Sequence, residues 1–177
     1  MTTICWDGKE MAADSQSTYN GSLVNNTIKI FQGINYIMAF CGAIDEGYAF
    51  KAVLEGEMKN KDASISKDFG ALVWWDTGVI EEYYDSLIPV PVIDKYSAMG
   101  TGAAVALTAM HCGKTAREAI EMAKKFDAFT SGKVISFSWT NVKKGKKKKK
   151  NEQLPADHIQ EPVCEIPGGT ESSGGLG

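Results

Sequence analysis

Thr2 is the residue whose type and position could do the most chemistry in this chain. The sequence opens Met1-Thr2-Thr3, and an initiator methionine is generally removed when a small residue such as threonine follows it. A free N-terminal threonine carries a hydroxyl nucleophile and an α-amine whose reference pKa of about 7.7–8.0 leaves it partly neutral near pH 7. That amine can accept the hydroxyl proton, which permits hydrolase chemistry. Taken alone, the same start is more typical of a chain that simply begins with a disordered threonine.

Histidine and cysteine offer few alternatives. The chain has two histidines, His111 near the end of an apolar helix pattern and His158 in the C-terminal segment. A Ser-His-Asp triad or a Cys-His pair would have to use one of them. If the protein is a hydrolase, this scarcity of histidine favours an amine as the base. The four cysteines show no C-x-x-C spacing, which argues against a zinc site and predicts free, mostly buried thiols in a reducing compartment.

Length and composition predict one globular domain. The chain has 177 residues, 44% of them hydrophobic, which is enough to bury a core. No segment approaches the roughly 20 apolar residues of a membrane helix, and the N-terminus lacks the pattern of a secretory signal. We therefore expect a cytoplasmic protein without membrane contact.

Periodicity predicts strands first and helices later. Strands are expected at 3–7, 9–16, 27–32, 35–42, 69–75, 79–84, 96–99 and 133–140, and helices at 43–58, 101–112 and 116–126. Asp7-Gly8 predicts a hairpin turn, Gly113 a helix end, and Thr115 with Glu118 a capping box. Runs of strands followed by runs of helices favour an α+β sandwich of sheets with helices outside.

The C-terminal segment differs from the rest. Residues 143–177 begin with a lysine run, continue rich in Gly, Ser, Glu and Pro, and hold seven of the 19 basic and five of the 22 acidic residues. We predict a domain at 1–142 and a disordered tail at 143–177. A lysine run could neutralise phosphates, but no aromatic residues interleave it and the domain is acidic. A solubilising or tethering tail is favoured over nucleic-acid binding.

Three further residues stand out after the N-terminal hairpin. Asp14 stands at the end of the second predicted strand, Lys29 within an apolar one, and Gly42 at a strand-to-helix junction. A lysine in a strand can simply face water. A buried lysine, however, needs a carboxylate partner, and Asp14 could supply it.

In these motifs the chain resembles proteasome β-type subunits and their bacterial relative HslV, which are N-terminal-nucleophile hydrolases. The resemblance runs from Thr2 to about Phe137. Its parts follow the family's order: Thr-Thr-Ile at the start, Ala-x-Asp-Ser-x-x-Thr, the strand lysine, the glycine after the second hairpin, Met-Gly-Thr-Gly before a helix, and Asp-Ala-Phe-Thr-Ser-Gly near the end. The resemblance implies a four-layer αββα sandwich of antiparallel sheets with helices outside, and a threonine endopeptidase.

The resemblance also implies catalytic roles. Thr2 is the expected nucleophile after Met1 removal, and Lys29 is expected to lower the pKa of its amine and hydroxyl. Asp14 pairs with Lys29, and Gly42 N–H binds the oxyanion. No propeptide is expected, because Met1 removal replaces self-cleavage.

A polar cluster near the nucleophile's amine is implied as well. Thr101 stands where the family usually has serine, and Asp127 and Thr130 match the Asp and Ser that complete the cluster. Both threonines keep the hydroxyl. Ser131 stands where glycine is common.

Substrate is expected to pair with the backbone around Thr18 and around Gly42, Ala43 and Ile44. The specificity pocket is expected near Thr27, Phe31, Phe40 and Ile44 and predicts small or medium hydrophobic side chains in the substrate.

The family's assembly and chemistry complete the expectations. They imply a homo-oligomeric ring, hexameric or heptameric, that acts on unfolded protein or peptide substrates without a metal or organic cofactor. In the family such rings are usually stacked in pairs and usually receive substrate from an ATP-dependent unfoldase. The resemblance also implies a bacterial or bacteriophage source. Two alternatives keep the fold: a catalytically silent ring subunit, and an amidase acting on small molecules. A third is a binding module that uses the lysine run.

Overall fold

The structure is a computed structural model and describes residues 2–19 and 22–139. Eleven strands and three α-helices lie within these residues. The strands are β1 (Thr3–Trp6), β2 (Met11–Ala13), β3 (Gln16–Tyr19), β4 (Ser22–Asn26), β5 (Ile30–Gln32), β6 (Tyr36–Cys41), β7 (Gly70–Trp75), β8 (Ile80–Tyr83), β9 (Val90–Pro91), β10 (Ser97–Gly100) and β11 (Ile135–Phe137). The helices are α1 (Ile44–Leu54), α2 (Ala103–His111) and α3 (Ala116–Phe126). The tail predicted from residue 143 lies outside the described residues.

Two antiparallel sheets form the centre of the molecule. The first has the strand order β10-β1-β2-β11 and the second β5-β6-β7-β8-β9. Strand β1 pairs on both sides, with Ile4 opposite Met99 of β10 and opposite Ala13 of β2. All residues of β1 and of β6 are buried. Such strands are covered on both faces, which explains why their sequences are nearly continuous apolar runs.

Three clusters of buried side chains show what covers each face. Between the sheets, Ile4, Met11 and Trp6 of the first sheet pack with residues such as Leu72 and Trp74 of the second. Each such buried side chain contributes about 1.5–3 kcal/mol of hydrophobic stabilisation.

Helices cover the outer faces. On the first sheet, Cys5 and Ala12 contact Met110 of α2 and Ile120 of α3. On the second, Phe50 of α1 packs in a cluster with Met38, Phe40 and Val73. The layers therefore run helix, sheet, sheet, helix, and the predicted four-layer α+β sandwich is confirmed.

Local turn and cap signals from the sequence are confirmed. Gly8 has a φ of +88° in the turn between β1 and β2. Thr115 accepts a hydrogen bond from the Glu118 N–H, and the Glu118 side chain accepts one from the Thr115 N–H. After α2, Gly113 (φ +87°) closes the helix, with Lys114 N–H donating to the Ala109 carbonyl, which is the Schellman pattern.

The strand predicted over residues 9–16 was wrong at its end. Strand β2 ends at Ala13, because the Asp14 carboxylate accepts the Gln16 N–H at 3.0 Å and bends the chain. A hairpin of β3 and β4 follows, which the sequence analysis missed because these segments are mostly polar and lack alternation. Six strands, not four, therefore precede the first helix.

Other boundaries also differ. Strand β5 begins at Ile30 rather than 27, although the Lys29 carbonyl still accepts the Phe40 N–H at 3.0 Å. Helix α1 ends at Leu54 rather than 58, two residues before Gly56 with its φ of +75°. Strand β9 was not predicted, since two residues carry no periodicity. Among the described residues, no helix has the length and apolar run needed to span a bilayer.

Candidate active site

Thr2 is held where the central strand of the first sheet begins. Its carbonyl accepts the Thr101 N–H at 3.2 Å. Gly100 has a φ of +94°, and a side chain there would collide with the Thr2 carbonyl. Thr2 itself is 2% exposed. Its backbone is therefore fixed between β1 and β10.

Thr2 borders a cavity of about 530 Å³ at one end of the sandwich. The residues that line it come from both sheets, from the loop before β7 and from the start of α1: Thr2, Cys41, Gly42, Ala43, Ser66, Asp68, Gly100 and Thr101. The cavity thus brings the predicted nucleophile, the predicted oxyanion donor and Thr101 to one space.

Asp14 and Lys29 form a buried ion pair, as the sequence analysis expected for a buried lysine. The Lys29 Nζ lies 3.4 Å from Asp14 Oδ1, and the two residues are 3% and 1% exposed. Lys29 also donates to the Gln16 carbonyl. Burial lowers the Lys29 pKa, and the Asp14 carboxylate opposes that shift without cancelling it. Lys29 therefore gives up its proton more easily than an exposed lysine.

The Asp14 carboxylate is anchored by the backbone as well. Oδ1 accepts the Thr3 N–H at 2.9 Å, and Oδ2 accepts the N–H groups of Gln16 at 3.0 Å and Ser131 at 3.3 Å. The ion pair consequently touches the residue that directly follows Thr2.

Asp127 collects the second group of predicted residues. Its Oδ2 accepts the Thr101 hydroxyl at 2.6 Å and the Thr130 hydroxyl at 2.5 Å. Burial raises the Asp127 pKa, but hydrogen bonds from Thr101, Thr130 and the Phe129 N–H outweigh it and hold the pKa below its ordinary value. The family resemblance implied that these three side chains form one cluster, and the structure brings them together.

Gly42 joins β6 to α1 with a φ of +119°, a conformation that L side chains rarely adopt. A Cβ at this position would stand 3.1 Å from the Phe69 Cα and 3.2 Å from Glu46 Oε2. The Gly42 backbone also lies at the N-terminus of α1, where the helix dipole favours negative charge. These features suit a backbone donor that faces an anion.

The structure divides the predicted substrate residues. Gly42 and Ala43, which were expected to pair with substrate, line the cavity. The residues expected at the specificity pocket do not line it: Thr27, Phe31, Phe40 and Ile44. Phe40 is fully buried and lies against Gly47 of α1. Phe31 is half-buried, stacks on Phe40 at 6.1 Å and meets the exposed Tyr48 edge-on at 5.2 Å. Phe40 therefore supports the aromatic surface from behind, and Phe31 is its accessible part.

The remaining predicted contacts lie nearer the β3–β4 hairpin. Thr27 is half-buried, and its N–H donates to the Ser15 carbonyl at 2.7 Å. Thr18 lies in β3 and pairs with Leu23 of β4. Ile44 is half-buried at the first residue of α1.

Sequence reasoning missed several residues of the site. Glu46 is 8% exposed and bridges two loops, accepting the Ala43 N–H at 3.1 Å and the Ser66 N–H at 2.7 Å. This bridge brings Ser66 and Asp68 to the cavity from an irregular stretch that carries no sequence signal. Cys41 precedes Gly42 directly, and burial raises the pKa of its thiol to about 11.

Similarity to known proteins is found among solved structures. No protein-family model matches the chain, and no curated protein matches it. Among solved structures, eukaryotic HslV from Trypanosoma brucei is 16% identical with a TM-score of 0.58, over 77% of this chain and 98% of that one. Thiobacillus denitrificans BPH is 18% identical with a TM-score of 0.55, over 77% and 95%. BPH in complex with epoxomicin is 18% identical with a TM-score of 0.56, over 77% and 96%. The chain shares the fold of these proteins.

Proposed function

We propose that the protein is a threonine endopeptidase that hydrolyses peptide bonds with Thr2 as nucleophile, once Met1 has been removed. One observation carries the proposal. Thr2 borders the same cavity as Gly42 and Thr101, while the next residue, Thr3, is bonded to the carboxylate that pairs with Lys29.

The base in this mechanism is the α-amine of Thr2. With its reference pKa of about 7.7–8.0, the amine is partly neutral near pH 7, and the Lys29 ammonium favours the neutral form further by like-charge repulsion. The one hydroxyl proton of Thr101 lies in its hydrogen bond to Asp127. The lone pairs of Thr101 are therefore available to accept a hydrogen bond from the amine and orient it.

The reaction proceeds in two steps. The Thr2 Oγ attacks the substrate carbonyl and passes its proton to the amine, directly or through one water. The Gly42 N–H stabilises the oxyanion, a contribution worth roughly 2.7–4 kcal/mol in other hydrolases. The amine then protonates the leaving nitrogen, and water cleaves the ester to release the second product and the free hydroxyl.

Unfolded polypeptide is the substrate class that fits this site. An extended peptide can add its backbone to exposed strand and loop edges, here around Thr18 and Gly42 to Ile44. The aromatic surface of Phe31 and Tyr48 supports a preference for small or medium hydrophobic side chains beside the scissile bond.

The assembly belongs to the same proposal. HslV and BPH share this fold, and we extend to this chain a homo-oligomeric ring, hexameric or heptameric, that receives substrate from an ATP-dependent unfoldase in the cytoplasm. Sedimentation of the purified protein tests the ring. Affinity capture with Thr2→Ala as bait tests the unfoldase.

The function itself is tested by intact mass after incubation with epoxomicin. A peptide epoxyketone closes a ring with both the hydroxyl and the free amine of an N-terminal threonine, so it reports nucleophile and base together. We expect a mass without Met1 and with one inhibitor per chain. Thr2→Ala is the matched control, because a small second residue preserves Met1 removal while the hydroxyl is lost.

Other outcomes separate the alternatives. Loss of Met1 without an adduct, together with no cleavage of unfolded casein, supports a silent subunit. Cleavage of small amides but not of casein supports an amidase. Retained Met1 in active protein overturns the mechanism, because the amine is then blocked.

A further inference from the structure

We propose that Thr3 is a positioning residue for the reaction, because its backbone and hydroxyl connect the Asp14–Lys29 pair to the Asp127 cluster on the two sides of the nucleophile. This inference rests on the proposed function and adds a residue to it.

The backbone of Thr3 reaches one side of the site. Its N–H donates to Asp14 Oδ1 at 2.9 Å, the same oxygen that lies 3.4 Å from the Lys29 Nζ. This N–H belongs to the peptide bond that follows Thr2. The hydrogen bond from this N–H to Asp14 therefore fixes the distance between the main chain of the nucleophile and the ion pair.

The side chain of Thr3 reaches the other side. The Gly102 N–H donates to Thr3 Oγ1 at 2.9 Å, and Thr3 Oγ1 lies 2.5 Å from Thr130 Oγ1. Thr130 in turn lies 2.5 Å from Asp127 Oδ2. Three polar contacts thus connect a backbone amide to a carboxylate through two buried hydroxyls.

Donor counting gives this connection a direction. A threonine hydroxyl has one proton, and an ionised carboxylate can only accept. The Thr130 hydroxyl must donate its hydrogen bond to Asp127. In the hydrogen bond between the two threonines, the donor is therefore Thr3. The order is Gly102 N–H to Thr3, Thr3 O–H to Thr130, and Thr130 O–H to Asp127.

The two hydroxyls are buried and closely packed against Gly102. Thr3 is 0% and Thr130 1% exposed. A Cβ on Gly102 would stand 2.5 Å from Thr3 Oγ1 and 2.9 Å from Thr130 Oγ1. A glycine is required at 102 because the two hydroxyls fill the volume of a side chain there.

The directed chain has a consequence for the reaction. Each donor polarises the next in a chain of hydrogen bonds, so Thr3 strengthens the bond that Thr130 gives to Asp127. Asp127 stays ionised and accepts a hydrogen bond from the Thr101 hydroxyl, and Thr101 keeps its lone pairs for the Thr2 amine. Thr3 therefore acts through Asp127 and Thr101 and does not itself touch substrate.

The kinetic test compares Thr3→Val, which keeps the volume and loses the hydroxyl, with Thr3→Ser, which keeps the hydroxyl and loses the methyl. We expect Thr3→Val to lower kcat about tenfold or more with KM changed by less than about twofold, since small displacements of reacting groups reduce rates by up to about a hundredfold. Thr3→Ser should recover at least about a third of kcat. A Thr3→Val kcat within about twofold of wild type overturns the inference, as does a Thr3→Ser loss as large as that of Thr3→Val. If Thr3→Val does not fold, Thr3→Ala, which also lacks the hydroxyl, takes its place under the same two criteria.

A stability cycle tests the hydrogen-bond chain without any activity. Urea midpoints are measured for Thr3→Val, Thr130→Val and the double variant, with Thr108→Val as a control because its hydroxyl bonds locally to the Ala104 carbonyl. We expect the midpoint losses at Thr3 and Thr130 to be less than additive and those at Thr3 and Thr108 to add. Additive losses at Thr3 and Thr130 overturn the chain. If wild-type protein neither cleaves peptides nor takes epoxomicin, the proposed function fails while this cycle still decides the hydrogen-bond chain.

Discussion

Lys29 and Asp14 lie 15 residues apart in sequence, yet the Lys29 Nζ and Asp14 Oδ1 are 3.4 Å apart in the interior. The pair meets because Asp14 directly follows β2, and the β3–β4 hairpin returns the chain to Lys29, which directly precedes β5. A charge pair this deep is costly unless both partners are present.

Removing one partner of this pair should damage stability and activity together. Lys29→Met keeps the length of the side chain and leaves the Asp14 carboxylate uncompensated, so we expect a loss of about 3–5 kcal/mol in the free energy of unfolding. We also expect peptidase activity to fall at least about a hundredfold, because the amine and hydroxyl of Thr2 lose their cation. The double variant Lys29→Met with Asp14→Asn should be more stable than Lys29→Met alone and equally inactive. Urea unfolding and a fluorogenic peptide assay measure both quantities, and an active Lys29→Met variant would contradict the mechanism.

Acid should destabilise the protein partly through Asp127. Its pKa in the folded state lies below the ordinary value, so the unfolded chain binds a proton first as pH falls. The stabilisation is fully present above a pH of about 3.9 and is lost as pH falls through the folded-state pKa. We expect the unfolding free energy of wild type to decrease more steeply below pH 4 than that of Asp127→Asn. Parallel pH profiles for the two proteins would show that Asp127 contributes nothing to the loss of stability in acid.

Gly42→Ala should reduce activity more than any other glycine substitution remote from the β1–β10 contact. The substitution forces an L residue to a φ of +119° and places a Cβ 3.1 Å from the Phe69 Cα, so we expect the backbone that carries the Gly42 N–H to shift. We expect kcat to fall about a hundredfold or more. Gly56→Ala is the control, since Gly56 also has a positive φ but nothing within 4 Å of the added Cβ. It should cost about 1 kcal/mol of stability with kcat preserved, and equal losses of kcat in both variants would attribute the effect to strain alone.

Phe31 and Phe40 should separate specificity from stability. Phe40 is fully buried, so Phe40→Ala should cost about 3–5 kcal/mol in unfolding free energy. Phe31 is half-buried and carries the accessible ring, so Phe31→Ala should change the preferred substrate side chain at a smaller cost in stability. Thermal unfolding and a peptide library that varies the residue before the scissile bond measure the two effects. An unchanged preference in Phe31→Ala would show that the specificity pocket does not include Phe31.

The sequence predicts those parts of the fold and site that depend on local rules. Asp7-Gly8, Gly113 and the Thr115 cap mark turns and helix ends by conformation and hydrogen bonding within a few residues. Lys29 and Asp14 follow from the rule that a buried charge needs a partner.

Long-range packing explains what the sequence did not predict. Ser66 and Asp68 reach the cavity through Glu46, which bonds a backbone group 20 residues away. Phe40 could not be distinguished from a pocket residue, because every position of β6 is buried and alternation carries no information in such a strand. The role of Thr3 depends on Gly102 and Thr130, 99 and 127 residues distant.

The attachment of Thr2 to β1 affects how the protein would lose activity. Chain ends usually fray, with local openings that cost little free energy, but the N-terminus that the proposed removal of Met1 creates leads directly into the middle of a four-stranded sheet. The amide protons of Thr3 and Ile4 should therefore exchange with deuterium only when the whole domain opens. Heating should inactivate the protein at the temperature at which the domain melts. We expect no lower temperature range in which the domain is folded but the Thr2 segment is detached and the protein inactive.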